Sequence, residues 1–298
     1  MSSMSQSTQE LRRRIKATQS LRKITKAMEM IAASKMRRSQ VSATASKPYA
    51  ALAWDMRSAL AASSWQIVDG NEDKMHPLLK MPKTGASLVV LITSNRGLCG
   101  SLNTIVVNHA LGLLKDAPDA KFMSIGKKGE RALLRRNKKI SAAYDNFNTI
   151  PSSGEVRSIA RAIMDLFLSG HASSVTLVFA DFISTVHYKP KALRLLPFAL
   201  SAESIADSKK FHSEYLFEPT PKEVLSALLP RLVELQIYQA ILESLASEHS
   251  ARMVAMRNAT EAADELVNDF TLTYNTLRQS SITAELSEIT SGRKALSR

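Results

Sequence analysis

The sequence predicts an α/β protein: a long antiparallel coiled coil of N- and C-terminal helices, together with a middle domain that holds a parallel sheet. Three observations support this prediction: the placement of glycine and proline, helical periodicity at both ends, and apolar runs between them. Nine of the ten glycines lie between Gly70 and Gly170, and no proline follows Pro230. Since these two residue types are the main breakers of regular structure, we expect long helices at the ends and a turn-rich middle.

The N-terminal segment has the periodicity of a helix that packs on a partner. Residues that step by threes and fours form one stripe: Leu11, Ile15, Thr18, Leu21, Ile24, Met28 and Ile31. The opposite face is basic and holds Arg12, Arg13, Lys16, Lys23, Lys26 and Arg37. We predict that the stripe is the seam of a coiled coil, and that Pro48 kinks or briefly interrupts the helix.

The C-terminal segment opens with a helix start signal. Thr220 suits the N-cap, Pro221 the first helical position and Glu223 the third. About 60 helical residues after Pro230, which should kink the helix, would extend for roughly 90 Å. A helix of that length needs a partner, and the N-terminal helix supplies one. The alternative is a helical bundle interrupted by loops. Apolar residues continue at helical spacing to the chain end, starting with Leu225, Leu228, Leu232, Leu235, Leu242 and Leu245.

The middle of the chain alternates apolar runs with amphipathic stretches. The runs at 87–93, 121–125 and 174–180 have the composition of buried parallel strands. The stretches at 102–115 and 155–168 lie between them and have helical patterning. Strand and helix alternating at this spacing predict a small α/β unit with a parallel sheet.

Composition excludes several classes of protein. The chain has 298 residues, 45% of them hydrophobic, which is enough to form a core. Its one cysteine, Cys99, excludes a disulfide-stapled module. The sequence contains no run of about 20 apolar residues, the length that a bilayer-spanning helix needs. Its first residues also lack the apolar region of a secretory signal. We expect an intracellular protein.

The segment from Thr93 to Ser101 follows a strand and precedes a helix, where phosphate-binding loops occur. Its glycine spacing matches neither common nucleotide-binding motif. Cys99 lies near a helix N-terminus, which can activate a thiol, but no histidine is placed to assist it. No group of residues has metal-ligand spacing. We therefore expect no catalytic, cofactor-binding or metal-binding residue, with an enzyme that uses Cys99 as an alternative.

The net charge of +13 is concentrated at the N-terminus, because residues 1–40 carry ten Lys/Arg and two acids. A basic helix of this kind can contact nucleic acid phosphates. It can equally attract an acidic protein partner, and residues 1–48 offer no aromatic side chain for stacking on bases. A basic, helical nucleic-acid-binding protein is therefore the second hypothesis.

Three parts of the sequence resemble the gamma subunit of F-type ATP synthases. They are LRRRI at 11–15 leading into ITKAMEMIAASKM at 24–36, ITSNRGLCGSLN at 92–103, and ASEHSARMVAM at 246–256 with RQSSITAELSEI at 278–289. The resemblance implies a rotor shaft whose paired helices enter a hexamer of alpha and beta subunits. It also implies a Rossmann-like middle domain that binds no nucleotide, contacts with an epsilon-type subunit and the membrane c-ring, and rotation that couples proton or sodium flow to ATP synthesis or hydrolysis.

The resemblance also implies roles for single residues. Met28 with Lys23 and Lys26 matches a patch that faces an acidic loop of the beta subunit, and Tyr215 with Glu218 matches contacts to epsilon and the membrane ring. Coiled-coil packing or a solvated face is the alternative for each position. Further rotor–stator contacts are expected at Arg252, Gln279, Thr283, Glu285 and Glu288.

The resemblance further implies segments 1–65, 66–215 and 216–298 as N-terminal helix, middle domain and C-terminal helix. It implies a peripheral location on the cytoplasmic face of a bacterial inner membrane or the matrix face of a mitochondrial one. Two features depart from the family pattern. Asn95 stands where the family usually has Asp, and the chain ends in a basic segment, 292–298, where an apolar tail is common.

Overall fold

The structure is a computed structural model that describes residues 2–67, 76–80, 82, 85–115, 117–145, 147, 149–198 and 220–296. Within the helices, the side chains of residues 2–7, 47, 49–67, 221, 222, 225 and 294–296 lie outside this description. The chain divides into two compact units. Met1–Ala32 with Arg252–Arg298 form the paired-helix unit, and Ala33–Ala251 form the α/β unit.

Five helices and five strands follow one another along the described chain. The helices are α1 (Ser2–Ile67), α2 (Leu102–Gly112), α3 (Lys127–Leu134), α4 (Ser153–Leu168) and α5 (Pro221–Leu296). The strands are β1 (Ala86–Ile92), β2 (Lys121–Ile125), β3 (Ile140–Tyr144), β4 (Ala172–Phe182) and β5 (Tyr188–Leu196). The long terminal helices and the α/β class are confirmed.

The predicted interruption of α1 at Pro48 is wrong, because the helix continues through this residue. Pro230 likewise lies inside α5. A proline removes one hydrogen bond of the helical ladder, and helices of 66 and 76 residues tolerate that loss. The start of α5 is as predicted, since the Glu223 backbone N–H donates to Thr220 Oγ1 at 3.3 Å.

The sheet has the strand order β3-β2-β1-β4-β5. The first four strands are parallel, and β5 pairs antiparallel with β4 at one edge. The three predicted strands are the central ones. The sequence did not predict β3, β5 or α3.

Apolar side chains cover both faces of this sheet, as a parallel sheet requires. On one face, Val90 and Leu177 pack in a cluster with Ile163 of α4 and Ile237 of α5. On the other face, Leu91, Phe122 and Val178 pack with residues of α2 and with Leu133 of α3. The α/β unit is therefore a three-layer domain of the Rossmann-like type that the resemblance implied.

Candidate functional site

The paired-helix unit is an antiparallel helix pair. Thr260 Oγ1 donates a buried hydrogen bond of 2.8 Å to Thr25 Oγ1. Arg22 lies further toward the N-terminus, and its Nη1 bonds Oδ1 of Asp264, further toward the C-terminus, at 2.7 Å. From the first contact to the second, the residue number decreases on α1 and increases on α5, so the two helices run antiparallel. The predicted coiled coil is therefore confirmed.

The seam of this pair follows a heptad pattern. Its buried and half-buried residues step alternately by three and four, which is the 3.5-residue period of a coiled coil. On α1 they are Leu11, Ile15, Thr18, Thr25, Glu29 and Ala32. The position between Thr18 and Thr25 is the exposed Arg22, which pairs with Asp264. On α5 they are Met253, Met256, Thr260, Ala263, Val267, Phe270, Tyr274, Leu277 and Ser281.

The predicted seam on α1 is wrong from Leu21 onward. Leu21, Ile24 and Ile31 are 54%, 57% and 57% exposed, and Met28 is half-buried. These four residues precede the seam positions by one residue, and one residue turns the helix by about 100°. Small and polar residues such as Thr25 and Ala32 take the seam because they allow the helices to approach closely. We call Leu21, Ile24, Met28 and Ile31 the outer stripe.

The basic residues expected to contact a partner lie on another side of α1 from the outer stripe, because at about 100° per residue Lys26 falls opposite the centre of the stripe. Lys23 and Lys26 are both exposed. The Lys26 Nζ lies 3.0 Å from Oε2 of Glu29, a seam residue. Arg252 on α5 is half-buried. An apolar stripe that stays exposed on a helix already paired through another face is typical of a protein interface.

The C-terminal part of α5 carries the remaining predicted contacts. Gln279, Thr283, Glu285 and Glu288 are all exposed, as is every described side chain from Ile282 to Arg293. The Thr283 hydroxyl donates to the Gln279 backbone carbonyl at 2.9 Å. We call residues 279–293 the tip. Tyr215 and Glu218 lie outside the described residues.

The loop between β1 and α2 is filled by its own side chains. Asn103 Nδ2 donates to Ser94 Oγ at 2.8 Å and to the Cys99 Sγ at 3.2 Å. Cys99 is 2% exposed. Gly126 packs directly against the backbone that follows β1. A Cβ at this position would lie 2.1 Å from the Thr93 carbonyl oxygen, so there is no room for a side chain. This geometry holds the loop together and gives Cys99 a packing role.

Asn95 has a structural role in the same region. Its Oδ1 accepts a hydrogen bond of 3.2 Å from the Lys127 backbone N–H, the first residue of α3. The Lys128 backbone N–H donates to the Ser94 carbonyl at 3.1 Å. The Asn95 side-chain oxygen therefore satisfies a backbone donor at a helix start.

A polar network inside the α/β unit was missed by sequence reasoning. Gln239 Nε2 donates to Glu243 Oε1 at 2.8 Å, and the Lys191 Nζ lies 3.2 Å from Asp181 Oδ2. Burial raises the pKa of Glu243, and the nearby Asp181 adds to the rise, partly offset by Gln239 and Lys191. Gln239, Glu243 and Lys191 line a cavity of about 120 Å³ with Leu232. No pattern in the sequence signals this network, because Asp181 and Lys191 lie on strands β4 and β5 and only the fold brings them near Gln239 and Glu243 of α5.

Other chemistry is limited in the part of the chain that the structure describes. No group of three or more His, Cys, Asp or Glu side chains there could hold a metal ion. Nor does any helix in the described ranges combine the length and apolar character needed to cross a membrane.

Comparisons with known proteins agree in sequence and in fold. A family model described as ATP synthase matches residues 7–296. The chain is 41% identical to the ATP synthase gamma chain of Roseiflexus castenholzii, over 97% of this chain and 98% of that protein. It is 42% identical to that of Herpetosiphon aurantiacus, over 97% and 99%.

Solved structures show the same fold. The chain is similar to a chain of the central stalk and c-ring of Tetrahymena thermophila mitochondrial ATP synthase, with a TM-score of 0.61 and 26% identity over 79% of this chain and 99% of that one. A chain of the Euglena gracilis mitochondrial enzyme gives a TM-score of 0.69 over 98% and 95%, and its 20% identity supports the fold alone.

Paired terminal helices with an exposed apolar stripe, together with a three-layer α/β unit, define a structural subunit built to work inside an assembly. The chain belongs to the ATP synthase gamma chain family. It is therefore a non-catalytic stalk subunit.

Proposed function

We propose that this chain is the central rotor shaft of an F-type ATP synthase. Proton or sodium flow through the membrane c-ring turns it, and its rotation inside the alpha–beta hexamer drives ATP synthesis. ATP hydrolysis turns it in the reverse direction. The observation that supports this most directly is the outer stripe, whose three largest aliphatic side chains are more than half exposed on a helix already paired through its other face. Such a surface favours a surrounding partner.

The paired-helix unit is proposed to contact the hexamer. Met28, Lys23 and Lys26 would contact the beta subunits, with Met28 on a different side of α1 from the two lysines. The lysines would attract an acidic loop of a beta subunit. The asymmetric surface would bind each of three beta subunits differently in turn. A shaft of this kind shifts the populations of their conformations without reacting groups of its own.

The tip is proposed as the second rotor–stator contact. Gln279 and Thr283 share one helical face, and Glu285 and Glu288 supply exposed carboxylates on the far side of the same helix. On the register set by the Thr25–Thr260 and Arg22–Asp264 bonds, Thr8 of α1 lies opposite Leu277, and every described side chain from Ile282 to Arg293 is exposed. Arg252 would contribute a cation near the base of the same helix pair.

The remaining contacts are proposed from the family resemblance. Tyr215 and Glu218 would contact the epsilon-type subunit and the c-ring. Segments 1–65, 66–215 and 216–298 would serve as N-terminal helix, foot domain and C-terminal helix. The complex would hold this subunit as a peripheral protein on the cytoplasmic face of a bacterial inner membrane or the matrix face of a mitochondrial one.

Co-expression with alpha and beta subunits tests the proposal. The wild-type chain should co-purify with both, and the complex should pump ions when it hydrolyses ATP in vesicles. Changing Leu21, Ile24 and Ile31 together to Ser should lower coupled pumping at least tenfold, because each replacement removes apolar contact with the hexamer.

Leu168→Ser is the matched control, since Leu168 is 52% exposed on α4 of the α/β unit. It should leave assembly and pumping near the wild-type level. Full pumping by the triple variant would contradict the proposed role of the outer stripe. Isolation of the wild-type chain alone, bound to DNA with a steep salt dependence, would favour the nucleic-acid alternative.

A further inference from the structure

The α/β unit carries a dense cationic surface at the end of α3. Between Lys127 and Lys139 the sequence holds seven Lys/Arg and one acid, Glu130. Exposed side chains on one face of α3 and in the turn that follows are Lys127, Arg131, Leu134, Arg135, Arg136 and Lys139. We call these six residues the α3 patch. Gly129, Ala132 and Leu133 face the core, so α3 is amphipathic with a basic outer face.

The turn after α3 has a defined backbone. The Lys138 N–H donates to the Leu133 carbonyl at 3.1 Å, and the Asn137 N–H donates to the Leu134 carbonyl at 3.0 Å. Asn137 has a φ of 53°, in the left-handed region. This pair of bonds is a Schellman motif with Asn at its left-handed position. The backbone that carries Arg135, Arg136 and Lys139 therefore has a defined conformation.

Two guanidinium groups of the patch are fixed in place. Arg135 Nε donates to the Arg131 carbonyl at 3.3 Å. Arg136 Nη1 donates to the Ala132 carbonyl at 3.4 Å, and its Nη2 donates to Asn108 Oδ1 at 3.5 Å. A guanidinium has five N–H donors, so most of them still point to solvent. The positive charges are thus pre-positioned at low entropic cost.

Most of the patch charge is not neutralised by the protein. Lys127 pairs with Asp145 at 3.2 Å. Among the residues that the structure describes, no carboxylate lies within ion-pair distance of Arg131, Arg135, Arg136 or Lys139. Four uncompensated cations on such a short segment call for an anionic partner.

The exposed Leu134 indicates what kind of anionic partner the α3 patch binds. It is 54% exposed and lies between Arg131 and Arg135 on the outer face. Clusters of four or more Lys/Arg on a helix are typical of binding to anionic lipid surfaces, and an exposed aliphatic side chain among them can enter the headgroup layer. Residues 127–139 include no aromatic side chain for stacking on bases.

We propose that the α3 patch binds the surface of an anionic phospholipid membrane, with Leu134 inserted among headgroups that the surrounding cations neutralise. The patch would give the α/β unit a weak, salt-sensitive membrane contact of its own. Vesicle binding by the chain does not depend on the rotor function proposed above, so either can fail without the other.

Co-sedimentation of the full-length chain with vesicles tests this. We expect binding to vesicles of phosphatidylcholine with phosphatidylglycerol, weaker binding at high salt, and little binding to phosphatidylcholine alone. Arg131→Gln with Arg135→Gln and Lys139→Gln should weaken binding roughly a hundredfold, since each cation near an anionic surface contributes about 1 kcal/mol.

The matched control removes three exposed cations elsewhere in the same unit: Arg161→Gln, Lys189→Gln and Arg194→Gln. This control should keep most of the affinity. Equal losses in both triple variants would mean that net charge alone drives binding, and would overturn the proposal.

Leu134→Ser separates a lipid surface from other polyanions. It should lower vesicle affinity several-fold, because an aliphatic insertion is lost. It should leave binding to inorganic polyphosphate or to a short DNA duplex unchanged. If Leu134→Ser has no effect on vesicles, or if the chain binds polyphosphate as tightly as vesicles through the same three cations, the membrane assignment is wrong.

Discussion

The two compact units differ in how completely they bury their large apolar residues. The α/β unit encloses large side chains such as Phe122, Phe167 and Phe179 on both faces of its sheet. The paired-helix unit places Thr25, Ala32 and Ala263 at its seam and leaves Leu21, Ile24 and Ile31 outside. The first unit has a complete hydrophobic core, whereas the second keeps much of its apolar surface for another molecule. That difference separates a self-sufficient domain from a helix pair that an assembly completes.

The largest expected effect is in the α/β core. Phe122→Ala should lower the free energy of unfolding by about 3–5 kcal/mol, because it deletes a fully buried ring and leaves a cavity. Phe270→Ala, at a half-buried seam position, should cost much less in the free chain. Denaturant unfolding of both variants measures this, and equal losses would remove the distinction between the units.

The buried threonine pair should give an intermediate effect. Thr260→Val removes the hydrogen bond to Thr25 and should cost about 1 kcal/mol. Thr25→Val with Thr260→Val should cost less than the two single changes added together, because each single change already removes the same hydrogen bond between the two hydroxyls. A double-mutant cycle on thermal unfolding tests this coupling. Strict additivity would show that the pair does not act as a unit.

Glu243 should give the α/β unit a pH-dependent stability. Its pKa is raised in the folded state, so the unfolded state loses the proton first as pH rises. Stability is therefore greatest below the ordinary carboxyl range and falls as pH rises through the raised pKa. Glu243→Gln should remove this part of the fall. Its Tm should therefore exceed the wild-type Tm by a margin that grows as pH rises from the ordinary carboxyl range through the raised pKa, by about 2–4 °C for each kcal/mol.

Glu265→Gln makes the same charge change at an exposed position of the paired-helix unit. Its Tm should follow the wild-type curve with pH. If Glu243→Gln also follows that curve, the buried carboxyl does not contribute to the pH dependence.

The smallest expected effect is at Asn95. Asn95→Asp would place a carboxylate at the N-terminus of α3, where a negative charge is favourable by about 0.3–1 kcal/mol. The denaturant midpoint should rise slightly at low salt and return toward wild type at high salt. A lower midpoint at low salt would mean that the Asn95 amide makes contacts that a carboxylate cannot replace.

The sequence predicted those elements whose burial follows from apolar runs. Strands β1, β2 and β4 were recognised because they are central in a parallel sheet and apolar on both faces. Strand β5 was missed because Pro190 and alternating Lys and Arg argue against a strand, and an edge position tolerates them. The short, basic helix α3 has no apolar stripe long enough to detect.

The candidate site was only partly predictable. Helical spacing located the coiled coil, and the resemblance supplied Gln279 and Thr283. The seam of α1 was misassigned because hydrophobicity favours Leu21 and Ile24, whereas close helix approach favours Thr25 and Ala32. Two faces of α1 carry residues that could pack on a partner. Which of them pairs with α5 and which meets another protein depends on the surfaces of those partners, and the pattern along α1 alone does not reveal them.

Amide hydrogen exchange of the chain, alone and assembled with alpha and beta subunits, tests the contrast between the units most directly. Exchange reports local opening, which is easiest where little apolar surface is buried. Residues 18–32 and 253–277 should exchange readily in the free chain and become strongly protected on assembly, while β1, β2 and β4 should be equally protected in both states. Full protection of residues 18–32 in the free chain would show that the helix pair needs no partner, and would contradict this account.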